Sequence, residues 1–333
     1  MPRRTPDENL ADENFPAINR AYYAAEPADY FEERFDNLLM TAGAREGRAA
    51  VIREGGSFGE VKFGGATGKP EPPEDEAAKA KSAQHFVLAE SEVLAHHVGE
   101  TLLRLYLAHE NSPPCPALEL ARVRWPAQIR RMVTERFIGS RFEDYAFRER
   151  VSRVFQLVDD LSALRPEPDH NMWWASVDNI EMFLRYFASQ FLDSGLYNSA
   201  KHGMALTPTE YGFSFGESEL TRHHGPAIYH IEQKRDSGSG ELRWFTTYRW
   251  VRPELQVGMI FMGIKLIRGL WRMARLRYLE KDVCGAEFFF FDSPRFDQVL
   301  AMGGDTGVTW TAMSTEMLYW AEQDEGDEAP GGP

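Results

Sequence analysis

The feature that most limits what this chain can fold into is a proline-free run over residues 82–109. In it Phe86, Val93, Val98, Leu102 and Leu105 recur at helix-compatible spacings. This predicts a long helix, halted by Asn111-Ser112-Pro113-Pro114 because a residue preceding proline is pushed out of the helical region. Similar signals predict helices over 15–40, interrupted at Glu26-Pro27 and restarted with Asp29 as cap, and over 117–137, kinked near Pro126. Another is expected over 142–164, ended by Arg165-Pro166-Glu167-Pro168. After Asp169 the apolar positions Trp174, Val177, Ile180, Phe183, Leu184, Phe187 and Phe191 trace one broad helical face, which requires several packing neighbours. A short helix containing 197–205 follows.

The pattern then changes. Residues 227–234 and 242–251 are β-rich and flank Asp236-Ser237-Gly238-Ser239-Gly240, a hairpin signal. Residues 255–279 read as another long helix and 288–291 as a short aromatic strand. The expected fold class is mainly α: an antiparallel helical bundle with a smaller α+β C-terminal segment built from a β-hairpin and a long helix. The expected organisation is a disordered start over 1–14, an N-terminal helical segment over 15–42 and a loop or linker over 43–80 with a short hairpin around 51–63. The helical bundle covers 81–215, the α+β segment 216–320 and an acidic disordered tail 321–333.

Hydrophobic residues make up 43% and aromatics 13%, which excludes disorder throughout. The net charge of −14 is concentrated at Glu322, Asp324, Glu325, Asp327 and Glu328, at Glu71, Glu74, Asp75 and Glu76, and in residues 1–14. The remainder is close to neutral, so the charge does not oppose an anionic partner for the folded part. Cys115 and Cys284 lie far apart and outside any metal-ligand spacing, as expected of thiols in a reducing compartment. The start of the chain shows no apolar signal run. The most apolar window, 257–270, is short and carries Lys265 and Arg268. No membrane span and a cytoplasmic location are therefore expected. Phosphate-binding loops, dinucleotide glycine patterns and nucleophile elbows are absent, and no cofactor is expected.

One stretch carries chemistry. Tyr197-Asn198-Ser199-Ala200-Lys201-His202-Gly203 follows a long apolar helix and begins a short one. It resembles the motif region of HEPN domains, helical bundles found in RNases, toxins and phage-defence proteins. The family pattern is an Arg, then Asn or another polar residue, then a His about one turn later. Asn198 and His202 match the last two, while Tyr197 stands where the Arg would be. The resemblance extends over residues 82–206 and implies RNA binding or cleavage, with paired domains whose motif helices face each other across a cleft. In such cleavage a His near neutral pKa exchanges the proton and a cation stabilises the phosphorane. Tyr197 supplies no charge. Lys201 does, but one residue before His202 it points about 100° away on a helix. Arg104, on the long helix, is the other candidate cation. The candidate catalytic group is therefore His202, Asn198, Arg104 and Lys201. The same letters also fit plain helix architecture, with Asn198 as a cap and His202-Gly203 as a terminus.

Two further patterns bear on partners. Glu92, His96, Glu100 and Arg104 form a polar stripe at i, i+4 spacing. It reads as a salt-bridged helix face, or as half of a metal-carboxylate site if Asp178 and Glu181 join it. Residues 243–281 carry nine basic side chains against Glu254 and Glu280. Lys265, Arg268, Arg272 and Arg275 share one helix face there, a candidate contact for RNA, a membrane surface or an acidic protein, or else a solvated face or an internal partner for the acidic tail. His223, His224 and His230 read as loop surface. The alternatives to an RNA-binding homodimer are a non-catalytic dimerisation or protein-interaction module and a metal-carboxylate bundle enzyme.

Overall fold

The structure, a computed structural model, describes residues 12–43, 56–58, 61–63, 76–123, 126–140, 145–156, 169–193, 195–201, 206–214, 222–235, 240–280 and 312–316. Helix α1 (Phe15–Tyr22) and α2 (Pro27–Gly43) flank the break at Glu26-Pro27. Strands β1 (Gly56–Phe58) and β2 (Val61–Phe63) pair antiparallel, the hairpin expected inside the linker. The long helix α3 (Glu76–His109) ends before Ser112, whose φ of 48° turns the chain out of the helix ahead of the two prolines. Helix α4 (Pro116–Arg122) and α5 (Pro126–Val133) follow, the latter closing in a π-helical turn, Thr134–Ile138.

Helix α6 (Tyr145–Gln156) occupies part of the expected 142–164 stretch. Asp169 caps α7 (His170–Leu192), its carboxylate accepting from the Asn171 and Met172 amides at 2.8 and 3.0 Å. A short helix, α8 (Gly195–Lys201), leads to β3 (Leu206–Ser214), β4 (Arg222–Arg235) and β5 (Leu242–Trp250). Pro253 opens α9 (Pro253–Arg275), as suits a residue without an N–H in the first turn. A π-helical turn, Leu276–Glu280, completes it, and β6 (Ala312–Glu316) is the last described element.

The fold is mainly α, a helical bundle with a small antiparallel sheet of order β3-β4-β5-β6. Two features differ from the sequence reading. Residues 206–214 form a strand although they adjoin the helical motif, because Thr207, Thr209 and Tyr211 alternate with residues of the opposite face. Helix α9, grouped in sequence with the hairpin, lies against α3, α2 and α6 at the centre of the bundle. One apolar cluster runs from Tyr23 through Leu102, Trp173, Phe187 and Ile260 to Ala274. A smaller one, Leu88, Leu196, Ile228 and Val251 with Leu206 against it, glues α3 and α8 to the inner face of the sheet. The expected strand at 288–291 and the acidic tail lie outside the described residues. Among those described, no helix is long and apolar enough to cross a membrane.

Candidate functional site

The place where α2, α3, α8 and β3 meet gathers more polar chemistry than any helix alone contributes. Arg34 of α2 donates to Glu90 Oε1 and, at 2.8 Å, to His97 Nδ1, both on α3. A guanidinium has only donors. His97 Nδ1 must therefore be the unprotonated nitrogen, and the ring carries its proton on Nε2. That Nε2–H points at the Tyr197 hydroxyl of α8, 2.7 Å away. Tyr197 thus accepts from His97 and keeps its own hydroxyl hydrogen to donate elsewhere.

The electrostatics agree with this tautomer. Burial, then the Arg34 charge, hold the His97 pKa below its ordinary value. Burial, then Glu100, push the Tyr197 phenol up, so it stays protonated at neutral pH. His96 stacks flat on the Tyr197 ring, centroids 3.9 Å apart and planes within 12°, and burial foremost drives its pKa down to about 4. The site is therefore two neutral imidazoles bracketing a neutral phenol.

Beside it opens a groove of about 320 Å³, near the lower end of small-ligand sites. Its walls are apolar, with Phe86, Val93, Leu206 and Pro208. Its polar edge is His85, Glu90, His97, Tyr197 and Lys201. The Lys201 ammonium sits 5.8 Å from the centre of the Tyr197 ring. Glu90 is engaged by Arg34, so Lys201 leaves a net positive edge. On the far side of Tyr197, Glu92, His96, Gln190, Arg249 and Gln256 line part of a second cavity of about 20 Å³, room for a single water.

The sequence-selected residues are only partly brought together. Lys201 is exposed at the groove, and Asn198, also exposed, is on the same short helix. His202 lies outside the described residues. Arg104 is turned away, clasping Glu100 at 2.7 Å and the Val123 carbonyl at 2.6 Å. It reaches Tyr197 only through its charge. On α9, Arg268 is bound to Asp29 and Glu32 of α2, and Lys265 lies 5.3 Å over Phe261 of its own helix. Arg275 faces Glu26 electrostatically, while Arg272 is exposed. Of this basic face, Arg268 is the residue held by acids of α2.

The metal-carboxylate set does not assemble: Asp178 pairs with Arg148, Glu181 with Arg185, and Glu92 accepts from Gln256. Among the described residues no three His, Cys, Asp or Glu side chains come together at ligand distance. His230, expected on a loop, is buried on the inner face of the sheet. Sequence reasoning missed Arg34 and His97. The adjacent His96 and His97 were the available signal, since two imidazoles in a buried helix need partners, but the partners lie 63 and 100 residues away.

Set against known protein families, curated proteins and solved structures, the chain matches none.

Proposed function

We propose that this chain is a HEPN-like protein that binds RNA at the Tyr197 groove without cleaving it. The carrying observation is the Arg34–His97–Tyr197 chain. General base catalysis needs an imidazole nitrogen free to take a proton. His97 has none: one nitrogen faces a guanidinium and the other already donates. The site offers instead a phenol hydrogen and the Lys201 ammonium, a donor and a cation suited to holding a phosphate oxygen. The apolar walls suit an unstacked base. A homodimer and a place in a phage-defence or toxin system rest on the resemblance alone.

The test is fluorescence anisotropy with a labelled single-stranded RNA, run beside a cleavage assay without added metal. Lys201→Ala should weaken binding by about three- to tenfold and flatten its salt dependence, as expected for one lost phosphate contact. No variant should cut. Cleavage that disappears in His97→Ala would restore a nuclease, and binding indifferent to Lys201 and Tyr197 would remove the groove from the reading.

A second reading has its own support. Phe86 is 46% exposed at the groove mouth, a large apolar side chain that a partner protein's residue would cover. Light scattering on the purified chain separates the two, because that module would associate without RNA.

A further inference from the structure

We propose that the outward face of the sheet is a stacking platform for single-stranded RNA. Strand alternation and register put Tyr211 of β3, Tyr229 of β4 and Trp244, Tyr248 and Trp250 of β5 on one face. The opposite face carries Leu206, Ile228 and His230 and packs on α3 and α8. The aromatic face therefore points away from those helices. It is also remote in kind from the Tyr197 groove, whose sheet residues, Leu206 and Pro208, belong to the inner side.

The rings are organised. Tyr211 and Tyr248 stack at 3.9 Å, 15° from parallel, although a strand lies between theirs. Between them that strand presents Ala227, which is fully buried and small enough to let the rings meet. A Cβ added at Gly225 would meet nothing within 4 Å, so the surface there is open. Tyr229 stands 5.1 Å from Tyr248. The Trp250 indole donates across β4 to the Tyr211 carbonyl at 3.1 Å, which ties the layer together. Toward the β4–β5 turn, Trp244 is 53% exposed, with Leu242 at 52% and Ile231 at 43%. An indole left this open on a sheet already ordered by four other rings is a surface awaiting a flat partner.

Charge selects the partner. Arg235 shares this face, its only polar contact among the described residues being the Gly240 carbonyl at 2.7 Å. The residue opposite Arg235 is Leu242, with Gln233 and Trp244 beside it, and none of the described β3, β4 or β5 residues on this face is a carboxylate. Sugars also stack on aromatic rings, but their hydroxyls call for carboxylates between the rings, and no described β3, β4 or β5 residue of this face supplies one. Rings flanked by a guanidinium that no described carboxylate opposes suit a polymer of flat bases joined by phosphates. Stacking on an antiparallel sheet is tolerant of sequence, because every base has a π-face.

The experiment uses the full chain and a photoreactive oligouridylate containing 4-thiouridine, with the matching duplex as control. The single strand should bind and the duplex should not. Crosslinks mapped by mass spectrometry should fall on peptides containing Tyr229, Trp244 or Tyr248. Trp244→Ala should weaken binding by about 5- to 100-fold, the range for one lost stacked base, and Trp244→Phe should recover most of it. Since Trp244 is more than half exposed, both variants should melt with the parent, which excludes misfolding as the cause. Crosslinks only around Lys201, or affinity unchanged in Trp244→Ala, would overturn the platform. So would concentration-dependent self-association abolished by Trp244→Ala, which would give the face to a second copy of the chain.

Discussion

At the scale of single residues, the fold places ionisable groups where only one protonation state is comfortable. Glu92 accepts from the Gln256 amide at 2.6 Å, and burial raises its carboxyl despite the Arg249 charge nearby. A carboxyl whose folded pKa exceeds its unfolded value, about 4.3, costs stability once the pH rises above that unfolded value. The cost grows until the folded pKa is passed and then stays constant. Glu92→Gln removes the charge and can keep a polar contact with Gln256. It should therefore raise the melting temperature at pH 7, by an amount that shrinks to nothing near pH 4. A variant that melts lower at neutral pH would show that attraction to Arg249 outweighs desolvation. Little of this was legible beforehand. The i, i+4 stripe of Glu92, His96, Glu100 and Arg104 announced a helix face, and Glu100–Arg104 does pair along it. What the spacing cannot encode is that α8 lands on that face, stacking Tyr197 on His96 and binding His97.

At the scale of elements, helix existence was readable and helix contact was not. The stop after His109 and the Asp169 cap follow from local chemistry that three or four residues contain. The strand at 206–214 was obscured by its neighbour: a helical motif ends a few residues before it, and only pairing with β4 defines the edge. The crossing of α3, α7 and α9 depends on two glycines that sequence reading passes over as mere helix weakeners. A Cβ on Gly99 would come within 2.5 Å of the Phe187 ring, and one on Gly263 would strike Val98 and approach Phe187 Cζ at 3.0 Å. Alanine is the better helix former by about 1 kcal/mol. Overpacking a well-filled core costs roughly 1–3 kcal/mol. The two terms oppose, and the contact with two buried side chains should win. Gly263→Ala should destabilise by about 1–2 kcal/mol in urea unfolding, and adding Val98→Ala to it should cost less than the sum of the two single changes. Additive costs would mean that α9 moves rigidly away from α3.

At the scale of the whole molecule, the distribution of neutral imidazoles sets how the fold responds to acid. His109 at the end of α3 donates from Nδ1 to the Leu105 carbonyl at 2.6 Å, so its Nε2 accepts from the Tyr23 hydroxyl at 2.7 Å. The ring sits against Tyr23, at the end of α1, and Tyr278, with Trp271 of α9 packed on Tyr23 in turn, and burial foremost pushes its pKa down to about 4. His96, His97 and His230 are depressed as well, each chiefly by burial. An unfolded chain protonates these rings below about pH 6.5, whereas the folded chain does so only at lower pH. The unfolded state then binds more protons, and stability falls as the pH drops through that window. Glu26 and Glu110, raised by burial, act in the opposite sense, since the folded chain protonates them first. The imidazoles titrate in the unfolded chain well above the carboxyls, so their effect opens the acid side. For His109, only 4% exposed, the shift from 6.5 to about 4 corresponds to at most roughly 3 kcal/mol between pH 7 and pH 4. Urea midpoints followed from pH 7.5 to 4.5 should therefore decline steadily below 6.5. His109→Gln should be less stable at pH 7, having lost a ring fitted to Tyr23 and Leu105, yet lose stability more slowly on acidification, by close to one proton's worth of slope near pH 5. Parallel curves for parent and variant would mean that His109 protonates as readily inside the fold as outside it, and the Tyr23–His109–Leu105 chain would then not hold the ring neutral.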